Sequence, residues 1–191
     1  MRTSKRDTIL AAAVDLIEDA GIEAVTYEAL SDACGLSKSG LVYHFPSRQE
    51  LVLGIHRYLA DEWEKELETA AGGAADEVDA ATRLRAIVMT LSHSATRAEL
   101  LVQLDATTDS SSAGIWDEVD ARWMPSAAEL TADGEDGELA RAAYLVQIAA
   151  DGLWVHDYVH RSLTQVQRQA LTTSLLAMIP EVTVSGHSEG Y

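Results

Sequence analysis

The chain has 191 residues, of which 47% are hydrophobic, and its formal net charge is −17 at neutral pH. This length and apolar content exclude global disorder and allow one sizeable core or two small coupled domains. No stretch approaches the roughly 20 apolar residues that span a bilayer, and the polar start of the chain does not lead into a signal-peptide core. We therefore expect a cytoplasmic protein that does not insert into membranes.

The negative charge is concentrated in the later part of the chain. Residues 1–57 contain six lysines and arginines and eight acidic residues, whereas residues 58–191 contain eight and 23. A basic rim on an acidic body allows specific binding of nucleic acid and disfavours the nonspecific kind. The basic side chains that would form this rim are Arg2, Lys5, Arg6, Lys38 and Arg48.

Helical periodicity dominates the chain, and no segment alternates convincingly as a strand does. The first predicted helix runs from about Lys5 to Ala20, where its apolar residues share one stripe, and Gly21 ends it. The fold is therefore predicted to be all-α, with about nine helices.

The segment 26–48 has the spacing of two short helices joined by a glycine turn. Thr26 and Ser37 each occupy a position that caps a helix, and Gly35 supplies the left-handed turn between the two helices. Lys38 lies in the first turn of the second helix, which a helix-turn-helix presents to base edges in the major groove. The segment therefore predicts a DNA-reading motif within a three-helix domain.

The later helices are predicted from capping signals and apolar periodicity. A capping box at Ser47 opens a longer helix that links two domains. The other predicted helices run from Ala81 to about Ser94, Arg97 to Leu104, Ile115 to Met124, Glu138 to about Arg161, and from a capping box at Thr164 to Pro180. Loops are predicted at 105–114 and around Gly134 and Gly137. The predicted domains are 1–46 for DNA binding, 47–180 for ligand binding and dimerisation, and 181–191 as a flexible tail.

The helix predicted at 138–161 has almost no exclusively polar face, so it must be buried on two sides. Two apolar helices at the end of a small chain predict a partner subunit, and the small residues Ala149, Ala150 and Gly152 would permit close helix approach. A monomer with a central helix remains an alternative. The predicted dimer interface comprises Ala149, Leu153, Trp154, Asp157, Tyr158, Leu171, Leu175 and Met178.

Residues 5–53 resemble the tetracycline repressor (TetR) family of bacterial transcription regulators. The stretch ILAAAVDLIEDAGIEAVTYEALSDACGLSKSGLVYHFPSRQELV follows the family pattern of helix, GxxxxT, helix, GLS, recognition helix, F-x-x-K/R and E-x-L. The stretches GLSKSGLVYHFPSR and DGLWVHDYVH resemble CgmR-type repressors of multidrug efflux from actinobacteria. The resemblance implies a dimeric repressor of a palindromic operator, which a small-molecule inducer releases.

The resemblance also assigns roles to individual side chains. It implies phosphate contacts from Thr26, Tyr27, Tyr43, His44 and Arg48, base-edge contacts from Lys38 and Ser39, and further DNA contacts from Lys5, Ser37 and Gly40. Two positions depart from the family pattern. Val42 stands where the family usually has tyrosine, and Gly40 replaces the usual serine or threonine, so both departures remove side-chain contacts from the reading face.

Four tryptophans accompany a single phenylalanine in this chain. Together with acidic side chains they would suit a flat cationic or aromatic ligand, through stacking and cation–π attraction of order 0.5–2 kcal/mol each. The alternative for each tryptophan is ordinary core or dimer packing, and Trp154 is assigned to the interface. The predicted ligand site comprises Trp63, Met89, His93, Asp105, Trp116, Trp123, Gln147 and Asp151.

His156 and His160 are four residues apart on one helix, a spacing that can chelate zinc. No clear third ligand accompanies them, so a polar end to the helix is the preferred interpretation. We find no nucleophile elbow, no cysteine with a persuasive histidine partner and no P-loop, and we expect neither catalysis nor a cofactor.

The sequence thus predicts a ligand-responsive repressor, and the resemblance implies that it represses a multidrug efflux gene. The alternatives are a repressor of a metabolic pathway that senses another molecule, a helical sensor that has lost DNA binding, and a metal-dependent helical enzyme.

Overall fold

The computed structural model of the chain describes residues 4–93 and 95–180. In this part of the chain, nine α-helices and two 3-10 turns confirm the predicted all-α fold, and none of the helices combines the length and apolarity needed to cross a membrane. The predicted tail, 181–191, lies outside the described residues. The helices are α1 (Lys5–Ala20), α2 (Tyr27–Cys34), α3 (Lys38–His44), α4 (Arg48–Ala71), α5 (Ala80–His93), α6 (Arg97–Ala106), α7 (Ser110–Trp123), α8 (Gly134–Val159) and α9 (Gln165–Ala177), and the 3-10 turns are Ile22–Ala24 and Ala127–Glu129.

Helices α1 to α3 pack as a small bundle around side chains that are almost fully buried. Ile17 of α1, Leu30 of α2 and Leu41 of α3 meet in this core. Gly35 ends α2 with a φ of 64°, a left-handed conformation that glycine adopts without a steric cost. The Ser31 hydroxyl donates to the carbonyl of Leu36 at 2.6 Å and so fixes the turn between the two motif helices.

Helix α4 belongs to both parts of the molecule. The Ser47 hydroxyl accepts a hydrogen bond from the amide of Glu50 at its start. The helix packs against α1 of the α1–α3 bundle and also against α5, α6 and α7. At Gly54 a Cβ atom would lie 2.8 Å from the ring of Phe45, so only glycine allows this close approach of α4 to the end of α3.

Two predicted loops are shorter than expected. The prediction of a loop is wrong for most of the range 105–114, because α6 continues to Ala106 and α7 already begins at Ser110. Asp109 accepts hydrogen bonds from the amide and hydroxyl of Ser112, which offsets the weak helix propensity of the serine run. Helix α8 likewise begins at Gly134, and Gly137 lies inside it, where a Cβ atom would collide with the carbonyl oxygen of Ala132.

Candidate DNA-reading surface and ligand cavity

Helix α3 presents its polar side chains on the face opposite the core residues Leu41 and Phe45. Its cap is the hydroxyl of Ser37, which accepts a hydrogen bond from the amide of Gly40 at 3.2 Å and lies 3.0 Å from the Ser39 hydroxyl. Tyr43 is 83% exposed. The exposed surface of α3 and its cap is formed by Ser37, Lys38, Ser39, Val42 and Tyr43.

Lys38 forms an ion pair with Glu28 of α2, with 2.5 Å between Nζ and Oε1. The hydrogen bond from Lys38 lowers the pKa of the Glu28 carboxyl. Both side chains are mostly exposed, and exposed ion pairs contribute little to stability. Lys38 can therefore exchange Glu28 for a base edge or a phosphate.

Two residues predicted to contact phosphates also form hydrogen bonds that hold the motif together. The Tyr27 hydroxyl donates to the carbonyl of Phe45 at 2.6 Å, so its proton is engaged within the protein. The Arg48 guanidinium donates to the carbonyl of Val25 at 2.6 Å and lies 3.5 Å from a carboxylate oxygen of Glu23. These bonds tie the start of α4 to the loop before α2 and the end of α3 to the start of α2.

The remaining predicted DNA contacts occupy positions of several kinds. Lys5 is exposed in the first turn of α1, and Thr26 caps α2 by accepting from the amide of Ala29. His44 is half-buried, and its carbonyl accepts from Arg6, whose guanidinium lies 4.4 Å from the ring centre of Phe45. The sequence placed Arg6 only in the basic rim, because this contact joins residues 38 positions apart.

A cavity of about 620 Å³ lies among helices α4 to α8. Of the predicted ligand residues, Trp63, Gln147 and Asp151 line it. Trp154, predicted at the dimer interface, also lines the cavity, and its indole donates to the carbonyl of Thr96 at 3.3 Å. Among the wall residues that the sequence prediction missed are Leu91, Leu100, Gln103, Asp120, Met124 and Tyr144.

Two predicted ligand tryptophans have their indole donors engaged elsewhere in the protein. Trp116 donates to Nδ1 of His56 at 3.1 Å, and Trp123 donates to Glu64 at 3.1 Å. Asp105 lies on the far side of His56, with 3.3 Å between the carboxylate and Nε2. These three residues therefore lie outside the cavity wall.

Met89 and His93 also lie outside the cavity wall. Both residues are exposed, and Nδ1 of His93 lies 2.9 Å from the carbonyl of Met89. They were predicted from helical position alone, which did not distinguish the faces of α5. Leu91, which lies between Met89 and His93 on the same helix, lines the cavity instead.

The carboxylates of Asp120 and Asp151 belong to the cavity wall on α7 and α8. Burial, followed by the charge of Asp120, raises the pKa of Asp151 to about 6, although the side-chain amide of Gln147 donates a hydrogen bond to it. Burial and the charge of Asp117 raise the pKa of Asp120. In the sequence, Asp120 directly follows Val119, which lies on the apolar stripe of α7 together with Trp116 and Trp123. This position next to an apolar stripe was the signal that could have indicated Asp120 as a wall residue.

The cavity is joined to the α1–α3 bundle by α6 as well as by α4. Arg97, in the first turn of α6, donates to the carbonyls of Ile17 at 3.2 Å and Glu18 at 2.7 Å. The Glu18 carboxylate accepts from the amide of Ala98 at 2.6 Å. Leu100, one turn further along α6, lines the cavity. A change in the cavity therefore has a short path to the end of α1.

The predicted dimer residues divide between the surface and the interior. Ala149, Tyr158, Leu171 and Met178 are exposed on α8 and its neighbour α9. Leu153 and Trp154 are buried within the protomer, Leu175 is half-buried against its core, and Asp157 pairs with Arg168. The exposed apolar face that the prediction missed is continued by Leu145, Ile148, Val159 and Val166.

The histidine pair of α8 has its ring centres 5.0 Å apart, between His156 and His160. Among residues 4–93 and 95–180, no group of three or more histidine, cysteine or acidic side chains has an arrangement that could hold a metal ion. The zinc interpretation therefore gains no further ligand from this part of the chain.

Comparison with known proteins follows this division of the chain. A family model described as bacterial regulatory proteins, tetR family, matches residues 9–55, and one described as tetracyclin repressor-like, C-terminal domain, matches residues 81–180. The HTH-type transcriptional regulator RutR of Escherichia coli K12 is 33% identical over 61 residues, which are 32% of this chain and 29% of RutR. The chain thus matches less than a third of the length of this curated relative.

Two solved structures match nearly the whole chain. A protein from Saccharomonospora viridis in complex with choline has 21% identity and a TM-score of 0.67, covering 91% of this chain and 94% of that one. The multidrug binding protein EbrR, complexed with imidazole, has 18% identity and a TM-score of 0.60, covering 96% and 99%. At these identities the likeness shows a common fold.

Proposed function

The chain belongs to the tetR family of bacterial regulatory proteins, and from this premise we propose that it is a homodimeric repressor of a palindromic operator, released when a small cationic or aromatic molecule binds the cavity. Members of the family are DNA-binding regulators and not enzymes. The observation that carries the proposal is the course of α4, which begins beside the reading helix and places Trp63 in the cavity wall. The proposed division is 1–46 for DNA reading and 47–180 for ligand binding and dimerisation.

Release requires that the ligand favour one conformation over another. A ligand with equal affinity for the DNA-competent and the DNA-incompetent state would shift nothing, however tightly it bound. Walls on α4 and α6 give the ligand contacts on both helices that touch the α1–α3 bundle. We propose that binding moves these helices and so changes the separation of the two recognition helices of the dimer, which must fit half-sites about 34–36 Å apart or a multiple of that distance.

Multidrug efflux, under a repressor of the CgmR type, is the regulated process that we favour. The cavity combines aromatic rings with two carboxylates, and EbrR, of the same fold, is a multidrug binding protein. Regulation of a metabolic pathway is the alternative, and the similarity to the transcriptional regulator RutR does not distinguish the two processes. That similarity covers 61 residues, less than a third of this chain, whereas the cavity wall draws on residues between Trp63 and Val155.

An electrophoretic shift assay with the DNA upstream of the chain's own gene tests the proposal. We expect a retarded complex that scrambled DNA does not form. The complex should be lost on addition of tetraphenylphosphonium, a bulky cation that does not intercalate into DNA, so that release reflects binding to the protein. Failure to retard any part of the upstream DNA would contradict operator binding. A cation that binds the protein and leaves the complex intact would contradict induction.

Transcript measurements in a deletion strain distinguish the two regulated processes. Loss of an efflux repressor should raise the transcript of a neighbouring transporter gene. A rise confined to genes of a metabolic enzyme would favour the alternative.

A further inference from the structure

The cavity wall carries negative charge without a compensating cation. Its carboxylates are those of Asp120 on α7, which is exposed, and Asp151 on α8, which is half-buried; among the described residues, the one other titratable side chain that lines it is Tyr144. Among the described residues, no lysine, arginine or histidine lines the cavity, and the wall positions of α4, α5 and α6 are uncharged: Trp63, Leu91, Leu100 and Gln103. A carboxylate that is partly shielded from water is destabilised unless an opposite charge or several hydrogen bonds compensate it.

Hydrogen bonds within the protein compensate this pair only in part. The side-chain amide of Gln147 donates to one oxygen of Asp151. The other oxygen of Asp151 has no donor of the cavity wall assigned to it, and Asp120 repels Asp151 electrostatically. The carboxylates of the wall therefore make the electrostatic potential within the cavity negative.

Aromatic side chains supply the rest of the recognition surface. Trp63 and Trp154 are nearly buried in the wall, and Tyr144 lies on the same helix as Asp151. The hydrogen bond from Trp154 to the carbonyl of Thr96 fixes the indole in place. A volume of about 620 Å³ is within the range that accommodates a drug-sized molecule.

We propose that Asp120 and Asp151 together recognise the positive charge of a flat organic cation that stacks against the aromatic side chains of the cavity wall. This inference rests on the proposed role of the cavity as the inducer site, and it defines the chemistry of the inducer. A neutral molecule of the same shape would leave the pair uncompensated. The pair thus discriminates by charge, while the aromatic wall tolerates variation in shape.

Proton exchange follows from the position of Asp151. Its pKa is raised to about 6 by burial and by Asp120, so the carboxyl is protonated below that pH and ionised above it. A cation stabilises the ionised form, and binding therefore strengthens as the pH rises through this range. About one unit below the pKa, only about a tenth of the sites are ionised, which weakens the apparent affinity about tenfold.

Fluorescence titration of the DNA-free protein tests the charge recognition. The probes are ethidium, which has one permanent positive charge, and 3,8-diamino-6-phenylphenanthridine, the same ring system without the N-ethyl group and its charge. At about pH 8, Asp151→Asn and Asp120→Asn should each weaken ethidium binding by about tenfold or more. Binding of the uncharged ring system should change less than about twofold, since the stacking surface is retained.

Asp61→Asn is the matched control, because it removes the same charge from an exposed position on α4. It should leave both affinities unchanged. Unchanged circular dichroism would establish that the variants are folded. Removal of either carboxylate relieves repulsion within the wall, so the substitutions are expected to be tolerated. Ethidium affinity that both cavity variants retain, or equal losses for the two probes, would overturn the proposal.

Titration against pH provides the second readout. Between about pH 5 and about pH 8, ethidium affinity of the unaltered protein should rise about tenfold, and that of Asp151→Asn should rise much less. An unaltered protein with a flat profile would contradict proton exchange. Because DNA is absent from these titrations, their outcome is separate from operator binding and release, which test the proposed function.

Discussion

Lys38 is paired with Glu28, whereas Arg6 and Arg48 donate to the backbone carbonyls of His44 and Val25. An ion pair between exposed side chains exchanges readily with a phosphate or a base. A guanidinium bonded to a carbonyl, by contrast, leaves that carbonyl unpaired when it departs. At the scale of the residue, we therefore expect Lys38 to be the cation of the motif that reads DNA.

Lys38→Ala is expected to relax sequence preference. A contact to a base edge contributes about 1–3 kcal/mol of discrimination, so the ratio of affinities for cognate and scrambled DNA should fall by about tenfold or more. Fluorescence anisotropy at fixed salt measures both affinities. Lys65→Ala is the control, because Lys65 forms a similarly exposed ion pair, with Glu62 on α4. Equal losses on the two DNAs would assign Lys38 to the phosphate backbone.

Gly54 is a residue at which packing overrides helix propensity. Gly54→Ala should lower the free energy of unfolding by about 1–3 kcal/mol, because the new methyl group would overlap the Phe45 ring and crowd Leu10. Gly114→Ala, in the open on α7, should instead stabilise the protein by up to about 1 kcal/mol. Thermal unfolding followed by circular dichroism compares the two. A stabilised Gly54→Ala variant would show that α4 is free to move away from α3.

Helices α4 and α6 form the two connections between the cavity and the α1–α3 bundle. Helix α4 is continuous through both, whereas α6 reaches the bundle by the hydrogen bonds of Arg97 and Ala98 to the end of α1. Both helices also contribute side chains to the cavity wall. At the scale of the element, α6 can therefore transmit a change in the cavity separately from α4.

Arg97→Ala should weaken induction while preserving ligand binding. The variant loses the bonds to Ile17 and Glu18, both outside the cavity, so ethidium affinity of the DNA-free protein should remain within about twofold. The concentration of tetraphenylphosphonium that releases half of the operator should rise several-fold. Arg85→Ala, at an exposed position of α5, serves as the control. Normal release by the Arg97 variant would assign transmission to α4 alone.

The exposed apolar face of α8 and α9 concerns the whole molecule. Leu145 is 63% exposed and Val166 is 80% exposed, and Ile148 and Met178 extend the same surface. Large exposed apolar patches mark interaction sites in soluble proteins. A palindromic operator also requires two reading helices related by a two-fold axis. If this face is the contact between two copies, the dimer both covers the exposed apolar side chains and provides the two reading helices.

Leu145→Glu should convert the proposed dimer to a monomer. A carboxylate placed at the centre of an apolar contact loses hydration without gaining a partner. Light scattering coupled to size-exclusion chromatography should then give a mass near 20.6 kDa for the variant and twice that for the unaltered chain. Leu104→Glu, at an exposed apolar position of α6, should remain dimeric. A monomeric unaltered chain would contradict the proposed interface.

Much of the fold followed from local rules that act within a few residues. The caps at Thr26, Ser37 and Thr164 formed as predicted, because a side-chain oxygen three residues before an amide satisfies it wherever the helix begins. The serine run after Asp109 was misassigned, because its composition favours a loop unless the cap is weighed. Local chemistry therefore located most helices, and errors arose where composition and capping disagreed.

The sequence by itself determined the helices, the reading motif and the family, because each depends on spacing along a few turns of chain. Only the tertiary structure decided which faces of α5, α7 and α8 meet. In that structure Asp120 and Asp151 line one cavity, and Trp154, which was expected at the interface, lines the same cavity. Trp116 and Trp123 donate hydrogen bonds to His56 and Glu64, respectively. Helices that are apolar on several sides give no periodic signal for choosing among those sides, so packing between distant segments makes the choice.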